Sequence, residues 1–193
     1  VGAVLLVGML GVIAVLLAEA HEWAEAHWVT THGRIFRPQR EATVLPKVSV
    51  HVPAYAEPPA MVIATLDALA RLDYPDFEVL VIDNNTKDAA LWHPVEAHCR
   101  TLGPRFRFFH VDPLAGYKAG ALEEGRRETD AEFIAIFDAD FLPPRDFLLK
   151  AIPHFFLSNG RPDAGLALVQ AQWGHLNHDE SRLTLAQSLW VDD

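Results

Sequence analysis

The strongest constraint on how this chain folds is the order in which short apolar runs and helix-like stretches follow one another. Val48, Val50 and Val52 alternate with Ser49 and His51, and the run stops at Pro53. Further strand-like runs cover residues 77–82, 105–111, 133–137 and 165–172. Between them, Val62, Leu66, Leu69 and Leu72 fall on one face of a helix opened by Glu57-Pro58-Pro59. Residues 89–101 read as a helix interrupted at Pro94, and residues 117–128 and 146–156 as two more. Strands alternating with helices predict an α/β fold, a Rossmann-like, doubly wound, mostly parallel sheet.

Within that sheet the run ending Phe137-Asp138-Ala139-Asp140-Phe141 is expected to be a short buried strand, closed by Pro143-Pro144. In extended backbone, residues two apart point the same way, so both carboxylates face one site. Two hard oxygen donors there suit Mg²⁺ or Mn²⁺ carrying a diphosphate. A solvated turn with two capping aspartates is the plain alternative. Two other strands also end in polar loops, Pro53-Ala54-Tyr55-Ala56-Glu57 and Asp83-Asn84-Asn85. In open α/β sheets such loops meet over one crevice. Singly, Asp83 is as readily a turn cap and Tyr55 a packing residue.

Lys118 adds the opposite charge, between Gly116 and Gly120 at a helix start where backbone N–H groups favour anions. A lysine there offsets charge on a diphosphate leaving group, or is simply exposed. The stretch is not a P-loop, because the Gly-Lys-Ser/Thr order is absent. His175 and His178, three apart, lack a third ligand and make a weak metal motif. A single cysteine, Cys99, excludes an internal disulfide and reads as a buried apolar residue. The net charge of -10 lacks the basic footprint that nucleic acid requires.

Residues 1–18 carry no charge. We expect residues 1–20 to form one transmembrane helix, with a signal peptide or a buried core helix as alternatives. Residues 21–46 then read as an interfacial segment with Trp23 and Trp28, followed by a linker. Arg34, Arg37, Arg40 and Lys47 place this flank in the cytoplasm, with the protein in a plasma or inner membrane. The globular domain is expected over residues 47–193. Both ends read as cut, the first inside an apolar run and the last inside a helix over residues 185–191.

Five segments taken together, Val-Pro-Ala-Tyr-Ala-Glu (52–57), Val-Leu-Val-Ile-Asp-Asn-Asn-Thr (79–86), Gly-Tyr-Lys-Ala-Gly-Ala-Leu (116–122), Phe-Asp-Ala-Asp-Phe (137–141) and Val-Gln-Ala-Gln-Trp-Gly-His-Leu-Asn (169–177), carry a family resemblance. Their order and spacing resemble a family 2 glycosyltransferase. The chain is most similar to the processive, membrane-embedded cellulose synthase-like branch with its mannan and glucan synthases. The resemblance implies a GT-A-like nucleotide-sugar-binding domain, truncated at its carboxyl end. It implies that Pro53, Tyr55, Glu57, Asp83, Lys118 and Asp138 bind the nucleotide-sugar, that Asp138 and Asp140 hold the metal, and that Gln170, Gln172 and Trp173 border the acceptor channel. The chain departs from the pattern at Ala56, usually Asn, and at Asn84, often Asp. The family's Thr-Glu-Asp base and Gln-x-x-Arg-Trp acceptor segments do not occur before Asp193, so the catalytic base is expected beyond it.

The expected activity is membrane-anchored, metal-assisted, inverting transfer from a UDP- or GDP-sugar to a glycan or lipid acceptor. Residues 1–193 alone are expected to bind nucleotide, hydrolyse donor slowly at most and make no polymer. Two rivals remain at this point. An Asp-x-Asp phosphohydrolase would place that strand early and want Thr or Val soon after the second Asp, where Phe141-Leu142-Pro143 stands. A non-catalytic nucleotide-binding membrane protein would keep the fold alone.

Overall fold

A computed structural model describes residues 2–28, 44–171, 174, 180, 181 and 184. The chain divides into two units, Val1–Pro38 and Gln39–Asp193. The first holds α1, Gly2–Trp28. Within it Leu5–Ala24 runs 20 residues at a mean hydropathy of 1.8, with none of that stretch buried in the protein. At about 1.5 Å per residue such a helix matches a hydrocarbon core of about 30 Å. The helix continues unbroken through residues 21–28. Arg34, Arg37 and Arg40 lie outside the described residues.

The second unit runs β1 (Val48–Ala54), α2 (Pro59–Ala70), β2 (Phe77–Asn84), α3 (Ala89–Leu102), β3 (Phe106–Val111), α4 (Tyr117–Arg127), β4 (Phe133–Ile136), α5 (Phe147–Ala151) and a 3₁₀ turn (Ile152–Phe155). The four strands are all parallel and ordered β3-β2-β1-β4. The chain therefore winds outward from β1 through β3 and then returns to the other side of β1. That reversal opens a crevice between the carboxyl ends of β1 and β4.

Both faces of the sheet are covered at β1 and β2, and residue parity decides which cover each side chain meets. Val48, Val50, Val52, Val79 and Val81 share a core with Val62, Leu66 and Leu69 of α2 and Val95 and Cys99 of α3. Leu80 and Ile82 turn the other way and pack with Ala121 of α4. Cys99 is buried, and its thiol is pushed up to about 12 by that burial.

His51 lies on the α4 side, fully buried. Its Nε2 meets Ser49 Oγ at 3.0 Å, and its Nδ1 has no partner among the described residues. A Cβ at Gly125 would stand 2.9 Å from that Nδ1, so glycine there lets α4 lie close over the ring. Burial holds the imidazolium pKa below its ordinary value, and the charge of Glu78 opposes this more weakly. The neutral ring therefore contributes stability that is complete above the unfolded pKa of about 6.5. It is lost as pH falls from there towards the lower folded pKa, at up to about 1.4 kcal/mol per pH unit. Urea denaturation at pH 7.5 and 5.5 should show a steeper acid loss for the wild type than for His51→Asn. Equal pH slopes in the two proteins would refute the assignment.

Several sequence expectations differ from the fold. β1 runs through Pro53 instead of stopping there. His51 O accepts from Phe137 N at 3.0 Å on the β4 side, and Pro53, two residues on, faces that same side after β4 has ended. Its missing N–H thus costs no ladder bond. Helix α3 is not interrupted at Pro94. Only one N–H is lost, the Ala90 carbonyl it would have served belongs to an exposed residue, and buried Val95 and Cys99 hold the next turn. β4 is an edge strand with Ile134 and Ile136 at 41% and 54% exposure, not a buried one. Residues 146–156 divide after Ala151 into α5 and the 3₁₀ turn, which carries Pro153. Residues 165–171 form no strand, having no ladder partner among the described residues. The helix expected over residues 185–191 lies outside the described residues.

Candidate functional site

The cleft opens at the β1/β4 reversal. After β1 the chain turns at Ala56, with φ 52°, and its N–H donates to Thr86 Oγ1 at 2.8 Å. Asn84, at the end of β2, donates through Nδ2 to the Ala54 carbonyl at 3.0 Å. Asn85 follows with φ 59°, in the left-handed region that asparagine tolerates. Its amide grips the backbone of Leu114 at both ends, Nδ2 donating to the carbonyl at 2.7 Å and Oδ1 accepting from the N–H at 2.8 Å. That double contact fixes the loop leading into α4. Gly116 (φ 87°) and Tyr117 (φ 50°) then make a tight left-handed entry to the helix.

From the β4 side, Phe137 N–H continues the ladder to His51 O, and its ring packs edge-on against Phe147 at 5.0 Å. The next residues turn: Phe141 N–H donates to Asp138 O at 3.2 Å. Ala139 is buried in the middle, and its carbonyl accepts from Thr65 Oγ1 of α2 at 2.7 Å. Asp138 and Asp140 therefore share the cleft through a pinned turn, not through the alternation of an extended strand. The Asp138 carboxylate is half-buried and pairs with the Lys118 ammonium.

These elements enclose an open cleft of about 390 Å³. Of the residues assigned from sequence, Pro53, Tyr55, Glu57, Lys118, Asp138 and Asp140 all line it. Asn84, noted from sequence as a departure from the family pattern, lines it as well, as do Met61 and Tyr117, which were assigned no role. Asp83 is not in its lining. That carboxylate is buried on the α2/α3 side, accepting from Thr86 Oγ1 at 2.6 Å and facing His110 Nδ1 at 2.7 Å. It borders an adjoining hollow of about 10 Å³, which shares Ala54 and Glu57 with the cleft and lies beside Trp92, whose ring stacks on His110 at 4.3 Å. Gln170 is exposed in irregular chain, while Gln172, Trp173, His175 and His178 lie outside the described residues.

Glu57, Asp138 and Asp140 set three carboxylates against the single ammonium of Lys118. The resulting charge repels a diphosphate unless a divalent cation comes with it. No group of three His, Cys, Asp or Glu poised for a metal occurs among the described residues. Asp138 and Asp140 therefore fit a cation that keeps most of its ligands from phosphate and water, as Mg²⁺ does. Chemically, the cleft offers two neighbouring carboxylates, Asp138 and Asp140, with a lysine beside them.

The sequence profile of glycosyl transferase family 2 matches residues 49–160. The probable glucomannan 4-beta-mannosyltransferase 4 of Oryza sativa subsp. japonica is 34% identical over 159 residues, 79% of this chain and 28% of that protein. Glucomannan 4-beta-mannosyltransferase 1 of Cyamopsis tetragonoloba is 36% identical over 155 residues, 76% of this chain and 28% of that protein. Among solved structures, the mannosyltransferase PcManGT from Pyrobaculum calidifontis, in complex with GDP-Man and Mn²⁺, superposes with a TM-score of 0.57. It shares 31% identity, over 73% of this chain and 42% of that chain. The chain thus spans 28% of the length of these two curated relatives.

Proposed function

The chain belongs to glycosyl transferase family 2, and from that premise we propose that it works as a metal-assisted, inverting β-glycosyltransferase anchored in a membrane. The donor is a nucleoside-diphosphate sugar of the GDP-mannose or UDP-glucose type, and the acceptor a growing β-glycan or a lipid. The observation that carries this reading is the meeting of Lys118, Asp138 and Asp140 in one cleft at the β1/β4 reversal. The mannosyltransferase names of the relatives, and the GDP-Man and Mn²⁺ in the neighbouring structure, support it.

In this reading an acceptor hydroxyl attacks the anomeric carbon from the face opposite the diphosphate. The new C–O bond forms as the bond to the leaving phosphate oxygen breaks, so the configuration inverts. Asp138 and Asp140 orient the donor, and Lys118 meets the charge that grows on the leaving diphosphate. A bound Mg²⁺ or Mn²⁺ supplies Lewis-acid neutralisation of that diphosphate. As the hydroxyl attacks, its proton passes to a general base that is not among the cleft residues above. The apolar α1 supports membrane anchoring, and the arginines of residues 34–40 support a cytoplasmic catalytic domain.

The test is donor turnover. The detergent-solubilised chain, given radiolabelled GDP-mannose or UDP-glucose with Mn²⁺, should bind donor and release label by transfer or slow hydrolysis, above an Asp138→Ala control. Turnover of a generic phosphomonoester, with neither donor bound, would overturn the proposal in favour of a phosphohydrolase.

A further inference from the structure

Three non-glycine residues among those described have positive φ, namely Ala56, Asn85 and Tyr117; Tyr117 lines the cleft, and Ala56 and Asn85 are each next in sequence to a lining residue. Ala56 and Asn85 are held there by the hydrogen bonds already described. Tyr117 is different. A bulky side chain in the left-handed region is disfavoured, and such positions persist where function needs them. Neighbouring Gly116 shows that glycine is used where this turn requires it, yet the next left-handed position carries an aromatic ring. That ring is 81% exposed, and among the described residues it has no hydrogen-bonding or aromatic partner. Nothing in the folded protein accounts for a tyrosine at this place, and the ring lines the cleft beside Lys118.

The sheet order says which part of a ligand the ring meets. Asp138 and Asp140 follow β4, while Asn84 ends β2 on the far side of β1. The Asn85–Leu114 grip ties the loop before Tyr117 to the β2 end. A nucleoside diphosphate with its phosphates at Asp138, Asp140 and Lys118 therefore extends its nucleoside towards β2 and Tyr117. We propose that Tyr117 is a positioning residue whose ring stacks on the nucleobase of the donor, held out for that purpose by a strained backbone. The inference rests on the transferase reading above.

The test separates base from phosphate. With the full chain in detergent and Mn²⁺ present, calorimetry measures Kd for GDP, UDP and inorganic pyrophosphate. Tyr117→Gly should weaken both nucleotides by about 5- to 150-fold, the usual worth of base–aromatic stacking. Pyrophosphate, which has no base, should bind as before, and Tyr117→Phe should match the wild type throughout. Tyr117→Gly should also melt at a higher temperature, because glycine relieves the strain. A merely structural tyrosine would lose stability and both ligand types together. Unchanged nucleotide affinity in Tyr117→Gly, or an equal loss for pyrophosphate, overturns the inference and leaves the transferase reading standing. Failure of the wild type to bind either nucleotide overturns both.

Discussion

Replacing Asp140 with asparagine is expected to abolish metal-dependent nucleotide binding, a loss on the order of 100-fold or more. The cleft offers a cation only two carboxylates from its pinned turn, so each is a large share of the protein's contribution. Even partners that merely orient metal ligands are worth about 10- to 100-fold, and a direct ligand is worth more. Asparagine keeps the shape and one oxygen, so the change removes charge and little packing. Asp140 is exposed, and its substitution leaves the core alone. Calorimetric titration of GDP and UDP, with and without Mn²⁺, should show the metal enhancement in the wild type and none in Asp140→Asn. Tight Mn²⁺ binding without any nucleotide, indifferent to Asp140→Asn, would mean that the cation sits elsewhere.

The second large effect is expected at Gly120, in the first turn of α4. Glycine to alanine inside a helix ordinarily stabilises by about 0.5–1 kcal/mol. Here the sign should reverse. A Cβ at Gly120 would stand 1.9 Å from the Ala115 carbonyl oxygen and 3.0 Å from its carbon. Those are backbone atoms of a loop that Asn85 grips one residue earlier, so it cannot yield freely. We expect Gly120→Ala to cost about 3 kcal/mol, at the upper end of overpacking. It should also displace Lys118 and weaken nucleotide binding. Urea denaturation at pH 7.5 gives the first quantity, and an alanine protein as stable as the wild type would refute the argument.

The legible parts of this chain were those in which local pattern and global fold agree. The order of strands and helices could be read because β2 is largely apolar, because β3 alternates around Phe106 and Phe108, and because Pro58-Pro59 opens a helix. The cleft could be located because α/β sheets bind at strand ends, whatever the side chains. What could not be read was which face a residue takes. β1 and β2 are buried on both sides, so hydrophobicity does not separate the faces. Asp83 shares the parity of Val79 and Val81 and turns to the α2/α3 side, whereas Asn84 shares that of Leu80 and Ile82 and reaches the cleft. One position along the strand decided it. The buried polar pair Ser49 and His51 is the same lesson, since alternation alone would have left both in water. β4 misled in the opposite sense, because a strand of Phe and Ile reads as interior even at a sheet's edge.

The Lys118–Asp138 ion pair gives the cleft an ionic-strength character of its own. A phosphate ligand entering this site does not find a bare ammonium waiting. On the proposed function it would take Lys118 from Asp138 and leave Asp138 to whatever cation the ligand carries. Binding is therefore an exchange of counter-ions within the protein. A site that simply adds an anion to a free lysine weakens steeply as salt rises, because only the bound state has an attraction to screen. Here salt screens the old pairing as well as the new one, so much of that dependence cancels. A bare metal ion is handicapped for the same reason: it must dislodge Lys118 and brings nothing to receive it.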